Sequence, residues 1–189
     1  MVAAAHRLLA ASFPDLLTVI VPRHPERGPD VAAQVGGILA PWGLAVARRK
    51  AGGAPGPEVA VYVADTLGEL GLFYRLAGVA LVGGSLVPRG GQNPLEPARL
   101  GCPILLGPHM QNFEEPVARL VDAGGALRVY GEAGALAEAV AAVLSDAGRG
   151  EALAGAAARV ADGHAGLPRQ VADALLDLLP AARVDPGRM

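Results

Sequence analysis

The sequence is poor in cysteine, in aromatic residues and in net charge. Its single cysteine, Cys102, excludes an internal disulfide and a cysteine-based zinc site. Apolar residues make up 52% of the chain, but many are alanine, and no run approaches the roughly 18 residues that a membrane-spanning helix needs. The start of the chain lacks the pattern of a signal peptide, and a formal charge of −2 gives no reason to expect nucleic acid as a partner. We therefore expect a soluble, cytoplasmic protein.

What the sequence does contain is an alternation of apolar, β-branched runs with helical patterns. The 189 residues suffice for one α/β domain with a sizeable core, and the alternation predicts a doubly wound parallel sheet. Strands are predicted at residues 16–21, 44–47, 58–63, 79–82, 103–106 and 126–130. Helices are predicted at residues 1–11, 30–39, 67–76, from 94, and at 113–123, followed by an alanine-rich helical end from 132 with breaks at 148–150 and 163–168. Residues 51–57 have the composition of a flexible loop.

A glycine-rich loop follows the predicted strand 79–82. Its pair Gly90-Gly91 lets backbone N–H groups turn outward and lets a ligand approach the main chain. Asn93 is a good N-cap, Pro94 suits the first helical position, and Glu96 completes a capping box. The N-terminus of the predicted helix suits a phosphate or a carboxylate. A capping box needs no ligand, so the loop taken alone is equally compatible with a tight strand–helix connection.

A second group of polar residues follows the predicted strand 16–21. Pro22, Arg23 and His24 lie where open parallel sheets bind their ligands. Arg23 is suited to bidentate pairing with phosphate or carboxylate oxygens. The alternative for Arg23 is a solvated loop arginine, and for His24 a structural role beside a proline turn.

Two further patterns flank the predicted strand 58–63. Thr66 and Glu69 form a second capping box, which predicts a helix start with or without a ligand. Gly68 inside the first helical turn costs about 1 kcal/mol relative to alanine, which indicates that backbone access matters there. The run 48–50, Arg-Arg-Lys, is compatible with an anionic membrane surface or with an ordinary solvated strand end.

Four sequence blocks resemble those of the bacterial Kdo transferases. They are PRHPER at 22–27, ADTLGELGL at 64–72, GGSLVP with GGQNPLEP at 83–88 and 90–97, and GPH at 107–109 with Asn112 and Phe113. Members of this family are inverting glycosyltransferases of lipopolysaccharide synthesis. They transfer 3-deoxy-D-manno-octulosonic acid (Kdo) from CMP-Kdo to a lipid A precursor, and they have two Rossmann-like domains facing a cleft, the GT-B architecture.

The resemblance implies a CMP-binding site built from three of these blocks. Its residues are Pro22, Arg23, Leu67, Gly68, Glu69, Asn93, Pro94, Leu95 and Glu96. Further candidates for the same site are His24, Gly84, Ser85, Gly90, Gly91 and His109. Glu96 is suited to accept hydrogen bonds from the ribose hydroxyls, the helix N-terminus to donate to the phosphate, and Arg23 to offset charge on the departing CMP. No metal or other cofactor is expected, since the acidic pair of GT-A enzymes is not evident.

The resemblance covers only the second half of a GT-B enzyme. Residues 1–180 are therefore expected to form the nucleotide-sugar domain, without its first strand and without the N-terminal acceptor domain, and residues 181–189 a disordered tail. In the family the catalytic base is a glutamate of the N-terminal domain, so this chain is expected to hold no catalytic residue and only to bind CMP. Lipid A precursor binding and membrane association, at the cytoplasmic face of the inner membrane, are expected only through the missing part. Many relatives have histidine at the position of Gln92.

Two alternative functions remain open on the sequence alone. One is another GT-B enzyme of nucleotide-sugar metabolism, such as a UDP-sugar transferase or epimerase. The other is a non-catalytic nucleotide-binding module that acts together with a separate N-terminal half.

Overall fold

The computed structural model describes residues 1–163 and 167–178 as alternating strands and helices. The strands are β1 (Thr18–Ile20), β2 (Ala45–Arg48), β3 (Val59–Val63), β4 (Ala80–Leu81), β5 (Ile104–Leu106) and β6 (Ala126–Arg128). The α-helices are α1 (Val2–Leu9), α2 (Gly28–Leu39), α3 (Arg49–Gly52), α4 (Leu70–Leu76), α5 (Leu95–Arg99), α6 (Glu114–Asp122), α7 (Ala133–Leu144), α8 (Ala147–Asp162) and α9 (Leu167–Leu178). Short 3₁₀ helices lie at Pro25–Arg27, Ala40–Trp42 and Gln111–Phe113.

Every strand pair in the described ranges is parallel. β3 lies between β1 and β2 in one three-stranded sheet, and β5 lies between β4 and β6 in a second. The predicted strands are confirmed in order, most of them shorter than predicted. Because parallel strands run in one direction, the loops that follow them leave each sheet at the same edge. The register pairs Arg48 with Val63, so the loops after β2 and β3 begin side by side.

Both faces of β5 are covered, as a doubly wound sheet requires. Ile104 and Leu106 pack in a core cluster with residues of α5, α6 and α8. Leu105 points to the other face and packs with residues of α1 and α7. Neighbouring strand residues alternate between the two faces, so an unbroken apolar strand is what two buried faces demand. The α/β prediction with helices on a parallel sheet is thereby confirmed.

Helix α1 packs on both halves of the structure. Ala5 and Leu9 join the core cluster of β5 and α7, while Ala3 joins a cluster with residues of α2 and β3. His6 is buried and its Nδ1 lies 2.8 Å from the hydroxyl of Thr18 on β1. Burial lowers the pKa of His6. The N-terminal helix therefore connects the two three-stranded sheets.

Cys102 is almost fully buried just before β5. Burial raises the pKa of its thiol to about 11. A thiol that stays protonated in an apolar environment behaves as a small hydrophobic residue.

Three predicted boundaries are wrong, each for a local reason. The predicted loop 51–57 begins inside a helical turn, α3. The helix predicted from Leu67 begins only at Leu70, because Gly68 has a φ of 82° and lies in a turn before it. The predicted break at 148–150 lies instead at Ser145 and Asp146, since the Asp146 carboxylate accepts the N–H of Arg149 at 3.0 Å and caps α8.

The final described helix, α9, belongs to the predicted helical end. Its apolar residues Val171 and Leu175 are 51% and 58% exposed. The predicted tail 181–189 lies outside the described residues, as does part of the predicted break at 163–168. Within ranges 1–163 and 167–178, no helix combines the length and the hydropathy needed to cross a bilayer.

Two glycines of α2 allow a matched test of this packing. A Cβ at Gly36 meets nothing within 4 Å, whereas a Cβ at Gly28 would overlap the Asp65 side chain. We expect Gly36→Ala to raise the free energy of unfolding by about 0.5–1 kcal/mol, because alanine loses less backbone entropy in a helix. Gly28→Ala should lower it. Chemical denaturation of both variants measures the signs, and two variants of equal sign would contradict this description of α2.

Candidate functional site

The loops after β1 and β4 are joined by one hydrogen bond. The Arg23 guanidinium, after β1, donates through Nη1 to Oε1 of Gln92 at 2.6 Å. These residues belong to loops of different sheets and are 69 positions apart in the sequence. Both Arg23 and His24 are exposed, and His24 Nδ1 lies 3.7 Å from a carboxylate oxygen of Glu26. The structure therefore brings the first and third sequence blocks together.

Side chains of the protein itself pack against the glycine-rich loop. Gly84, Gly90 and Gly91 have φ values of 70°, 82° and 76°, which residues other than glycine rarely adopt. A Cβ at Gly91 would overlap Met110, and one at Gly90 would overlap Asn112. The close approach that requires glycine here is thus made by the loop after β5. It is a different reason from the ligand access that the sequence indicates.

Ser85 supports this loop from inside. Its side chain is fully buried, its hydroxyl donates to the carbonyl of Val82 at 2.6 Å, and it accepts the Gly107 N–H at 2.9 Å. The Ser85 carbonyl also accepts the N–H of His109 at 2.9 Å. Ser85 and His109 therefore join the loops after β4 and β5, and the Ser85 hydroxyl is already used within the protein.

The helix that follows the glycine loop is short and begins one residue later than predicted. α5 starts at Leu95, whose N–H donates to Asn93 Oδ1 at 3.0 Å. The Asn93 amide lies 3.4 Å from an oxygen of Glu96, which is exposed. Because Pro94 has no N–H and the Leu95 N–H is already bonded, the first turn has fewer free donors for an anion than the capping pattern indicates. The Glu96 carboxylate and the Asn93 amide are its accessible polar groups.

Asp65 begins the loop after β3 as a buried carboxylate. Its Oδ2 accepts from Arg48 Nε at 2.9 Å and from Arg48 Nη2 at 2.5 Å, and its Oδ1 accepts the Lys50 N–H at 2.9 Å. The Asp65 side chain is 0% exposed. Burial alone would raise the pKa of this carboxyl, but the Lys50 N–H and the Arg48 guanidinium outweigh burial and hold it below the ordinary value. Asp65 is therefore an ionised anchor inside the fold.

Glu69 ends the same loop and is also paired. Arg49 donates to it through Nη2 at 2.7 Å and through Nε at 3.2 Å, and the Thr66 hydroxyl donates to the same carboxylate. The Arg49 and Thr66 hydrogen bonds lower the pKa of Glu69. Between the two anchored ends, Leu67 is 81% exposed. The loop thus turns Leu67 and Gly68 toward solvent.

Helices α4 and α5 pack against each other and bring the second block beside the third one. Burial and the charge of Glu96, with a smaller effect of Cys102, raise the pKa of Tyr74 to about 12. The block at 64–72 ends in α4 and the block at 90–97 includes the start of α5, so the α4–α5 packing places these two blocks side by side. The Arg23–Gln92 hydrogen bond joins the block at 22–27 to the block at 90–97.

Sequence reasoning missed the role of the two arginines at the end of β2. The sequence pattern indicates a solvated strand end or a membrane-facing charge, whereas Arg48 and Arg49 each hold a carboxylate of the loop after β3. The sequence does contain a hint of these ion pairs, because two cations follow one strand and two acids follow another. The pairs can be inferred from it only when β2 and β3 are known to be neighbours in the sheet.

Two shallow cavities lie among the described residues. One of about 180 Å³ lies beside the loop after β5, and one of about 290 Å³ lies between α1 and α7. The candidate residues line neither cavity. They form an open polar edge, on which the hydrogen-bonding groups and not an enclosed volume define the site.

Curated proteins with similar sequences are 3-deoxy-D-manno-octulosonic acid transferases. The chain is 43% identical to that of Bordetella pertussis over 176 residues, which are 93% of this chain and 39% of the relative. It is 39% identical to that of Haemophilus influenzae over 175 residues, with the same two shares. The chain thus spans about two fifths of the length of these relatives. No family model matches the chain.

A solved structure resembles the chain over most of both molecules. It is the crystal structure of the C-terminal CMP-Kdo binding domain of WaaA from Acinetobacter baumannii, with a TM-score of 0.76, 34% identity, and coverage of 84% of this chain and 80% of that one. The fold and the clustered loops thus define a Rossmann-like domain of the kind found in the C-terminal half of GT-B glycosyltransferases. The chain belongs to the Kdo transferase family.

Asp65 yields a test of the anchor inside this site. We expect Asp65→Asn to lower the free energy of unfolding by about 2–3 kcal/mol, because Arg48 loses its charged partner in a partly buried position. Asp122→Asn, at the exposed end of α6, is the matched control and should change stability little. Urea denaturation at neutral pH measures both.

The pH dependence of the same variant gives the sign of the pKa shift. A carboxyl group whose pKa is lower in the folded state stabilises the fold at pH values above its unfolded-state pKa, which is about 3.9. This stabilisation is lost as the pH falls through the folded-state pKa. The native chain should therefore lose more stability than Asp65→Asn between about pH 5 and pH 2. Equal losses in the two proteins would show that Asp65 is not an ionised anchor.

Proposed function

We propose that this chain is the donor-nucleotide domain of a Kdo transferase and that it binds the CMP part of CMP-Kdo. The observation that supports this most directly is the Arg23–Gln92 hydrogen bond, which joins two of the motif blocks at the carboxyl edge of the sheets. Family membership supports the same ligand, as does the likeness to the Acinetobacter baumannii domain, which binds CMP-Kdo. The UDP-sugar alternative has no such support.

In this proposal the phosphate is held mainly by side chains. The Leu95 N–H is occupied by Asn93 and Pro94 has no N–H, so we assign the phosphate to the Arg23 guanidinium and the Asn93 amide. Arg23 is exposed and can leave Gln92 for a phosphate, since a charged pair is the stronger hydrogen bond. As CMP departs, the same guanidinium stabilises the negative charge on the leaving group.

The nucleoside contacts follow from the remaining exposed groups. Glu96 is exposed, and its carboxylate is suited to accept from both ribose hydroxyls. Leu67 and Gly68 offer an apolar side chain and an accessible main chain to the base. The loops around these contacts are completed by His24, Gly84, Gly90, Gly91 and His109.

The whole enzyme, in this proposal, transfers Kdo to a lipid A precursor in lipopolysaccharide biosynthesis. The inverting reaction needs a base for the acceptor hydroxyl, and we assign that base, acceptor binding and attachment to the cytoplasmic face of the inner membrane to a part of the enzyme outside residues 1–180. These 180 residues would then bind the donor without transferring it.

Calorimetric titration with CMP, and with UMP for comparison, tests this function. Circular dichroism must first show that each variant is folded. We expect the chain to prefer CMP, and Arg23→Ala and Glu96→Ala each to weaken CMP binding about 10- to 100-fold, since each removes a charge-assisted hydrogen bond. Arg149→Ala and Glu151→Ala, on the exposed surface of α8, are the matched controls.

Two results would contradict the proposal. One is equal affinity for CMP and UMP in a folded chain. The other is a loss of CMP binding in the α8 controls as large as that in the site variants, which would indicate non-specific attraction of the nucleotide.

A further inference from the structure

Two arginines at the end of β2 form ion pairs with the two ends of the loop that follows the neighbouring strand, β3. Arg48 and Arg49 are consecutive residues at the junction of β2 and α3. Arg48 binds Asp65, the first residue of the loop 65–69, and Arg49 binds Glu69, its last residue. The parallel β2–β3 pairing brings the four side chains together.

The Arg48–Asp65 pair fixes the start of the loop. Two nitrogens of Arg48 donate to Asp65 Oδ2, and the Lys50 N–H donates to Oδ1 at 2.9 Å. Gly28 lies so close to the same carboxylate that a Cβ there would overlap it. Asp65 therefore has no room to turn outward, and it is unavailable to a ligand.

The Arg49–Glu69 pair fixes the end of the loop. Arg49 donates to both oxygens of Glu69 in a bidentate pair, at 2.7 Å and 3.2 Å. Thr66, inside the loop, also donates to this carboxylate. Both oxygens of Glu69 are thus engaged within the protein, whereas the exposed Glu96 faces solvent. This arrangement suits Glu69 to hold the loop better than to contact a nucleotide.

The segment between the two ion pairs is the part of the loop that a ligand can reach. Leu67 is 81% exposed, and Gly68 is exposed with a φ of 82°. An exposed leucine on an unsupported loop would have to be ordered on binding, and that ordering lowers affinity. A loop fixed at both ends is already ordered before the ligand arrives.

We propose that Arg48 and Arg49 are positioning residues that hold loop 65–69 in the conformation in which Leu67 and Gly68 contact the nucleotide. The proposal rests on the proposed function for the identity of the ligand. It assigns Glu69 to the support of the loop, in place of the direct contact that the family resemblance implies. The cationic run 48–50 thereby receives a role that is neither a solvated strand end nor a membrane contact.

The first test compares substitutions of Arg49. Loss of the Arg49–Glu69 pair should damage the fold less than loss of the Arg48–Asp65 pair, because both Arg49 and Glu69 are partly exposed. We expect Arg49→Gln to weaken CMP binding about 10-fold through lost preorganisation, with little change in the melting temperature. Arg49→Lys, which keeps the charge but cannot make the bidentate pair, should fall between Arg49→Gln and the native chain. Arg75→Gln on α4 is the matched control.

A charge exchange separates positioning from simple loss of positive charge. The double variant Arg49→Glu with Glu69→Arg keeps the net charge and can re-form the pair. It should recover most of the affinity that Glu69→Arg alone loses. No recovery, or an Arg49→Gln variant that binds CMP like the native chain, would overturn the proposal.

Hydrogen exchange in the free chain distinguishes failure of this inference from failure of the proposed function. The amides of residues 66–69 should exchange faster in Arg49→Gln than in the native chain, and those of α8 should not. If the native chain failed to bind CMP, the proposed function would be wrong, and exchange would still decide whether Arg49 orders the loop. Unchanged exchange at residues 66–69 would contradict the positioning role.

Discussion

Parallel strand pairing is the constraint on which the rest of this structure depends. All strand pairs in residues 1–163 run in one direction, so each following loop reaches the same edge of its sheet. Side chains that are separated in the sequence become neighbours there, as Arg48 and Asp65 show. Helices on both faces of β5 bury both of its surfaces, as parallel sheets require.

The polar groups at this edge fall into two sets with different tasks. Buried or paired groups hold one loop to another: Ser85 joins the loops after β4 and β5, and Asp65 joins those after β2 and β3. Exposed groups, chiefly Arg23 and Glu96, are left for a ligand. A buried polar group is stable only with its partners in place, so the supporting set forms as part of folding. The loops at this edge are thereby shaped by folding itself.

Sequence patterns predict the elements well and the use of individual polar groups less well. The strands and most helices follow from local periodicity, and the motif blocks point to the loops of the candidate site. The sequence pattern places Gly68 in a helix and does not indicate the Arg49–Glu69 pair, because neither the φ of Gly68 nor a contact between distant loops can be derived from local spacing. The packing of Met110 against Gly91 and of Asn112 against Gly90 likewise exists only in the folded chain and has no local sequence signal.

The central claim is that one edge of this domain, formed by three distant sequence blocks, binds the donor nucleotide. Mapping of amide chemical-shift changes on addition of CMP to the folded chain tests this claim most directly. The account predicts that the largest changes occur together at residues 23–24, 67–68 and 92–96. Changes concentrated in the groove between α1 and α7 would contradict it.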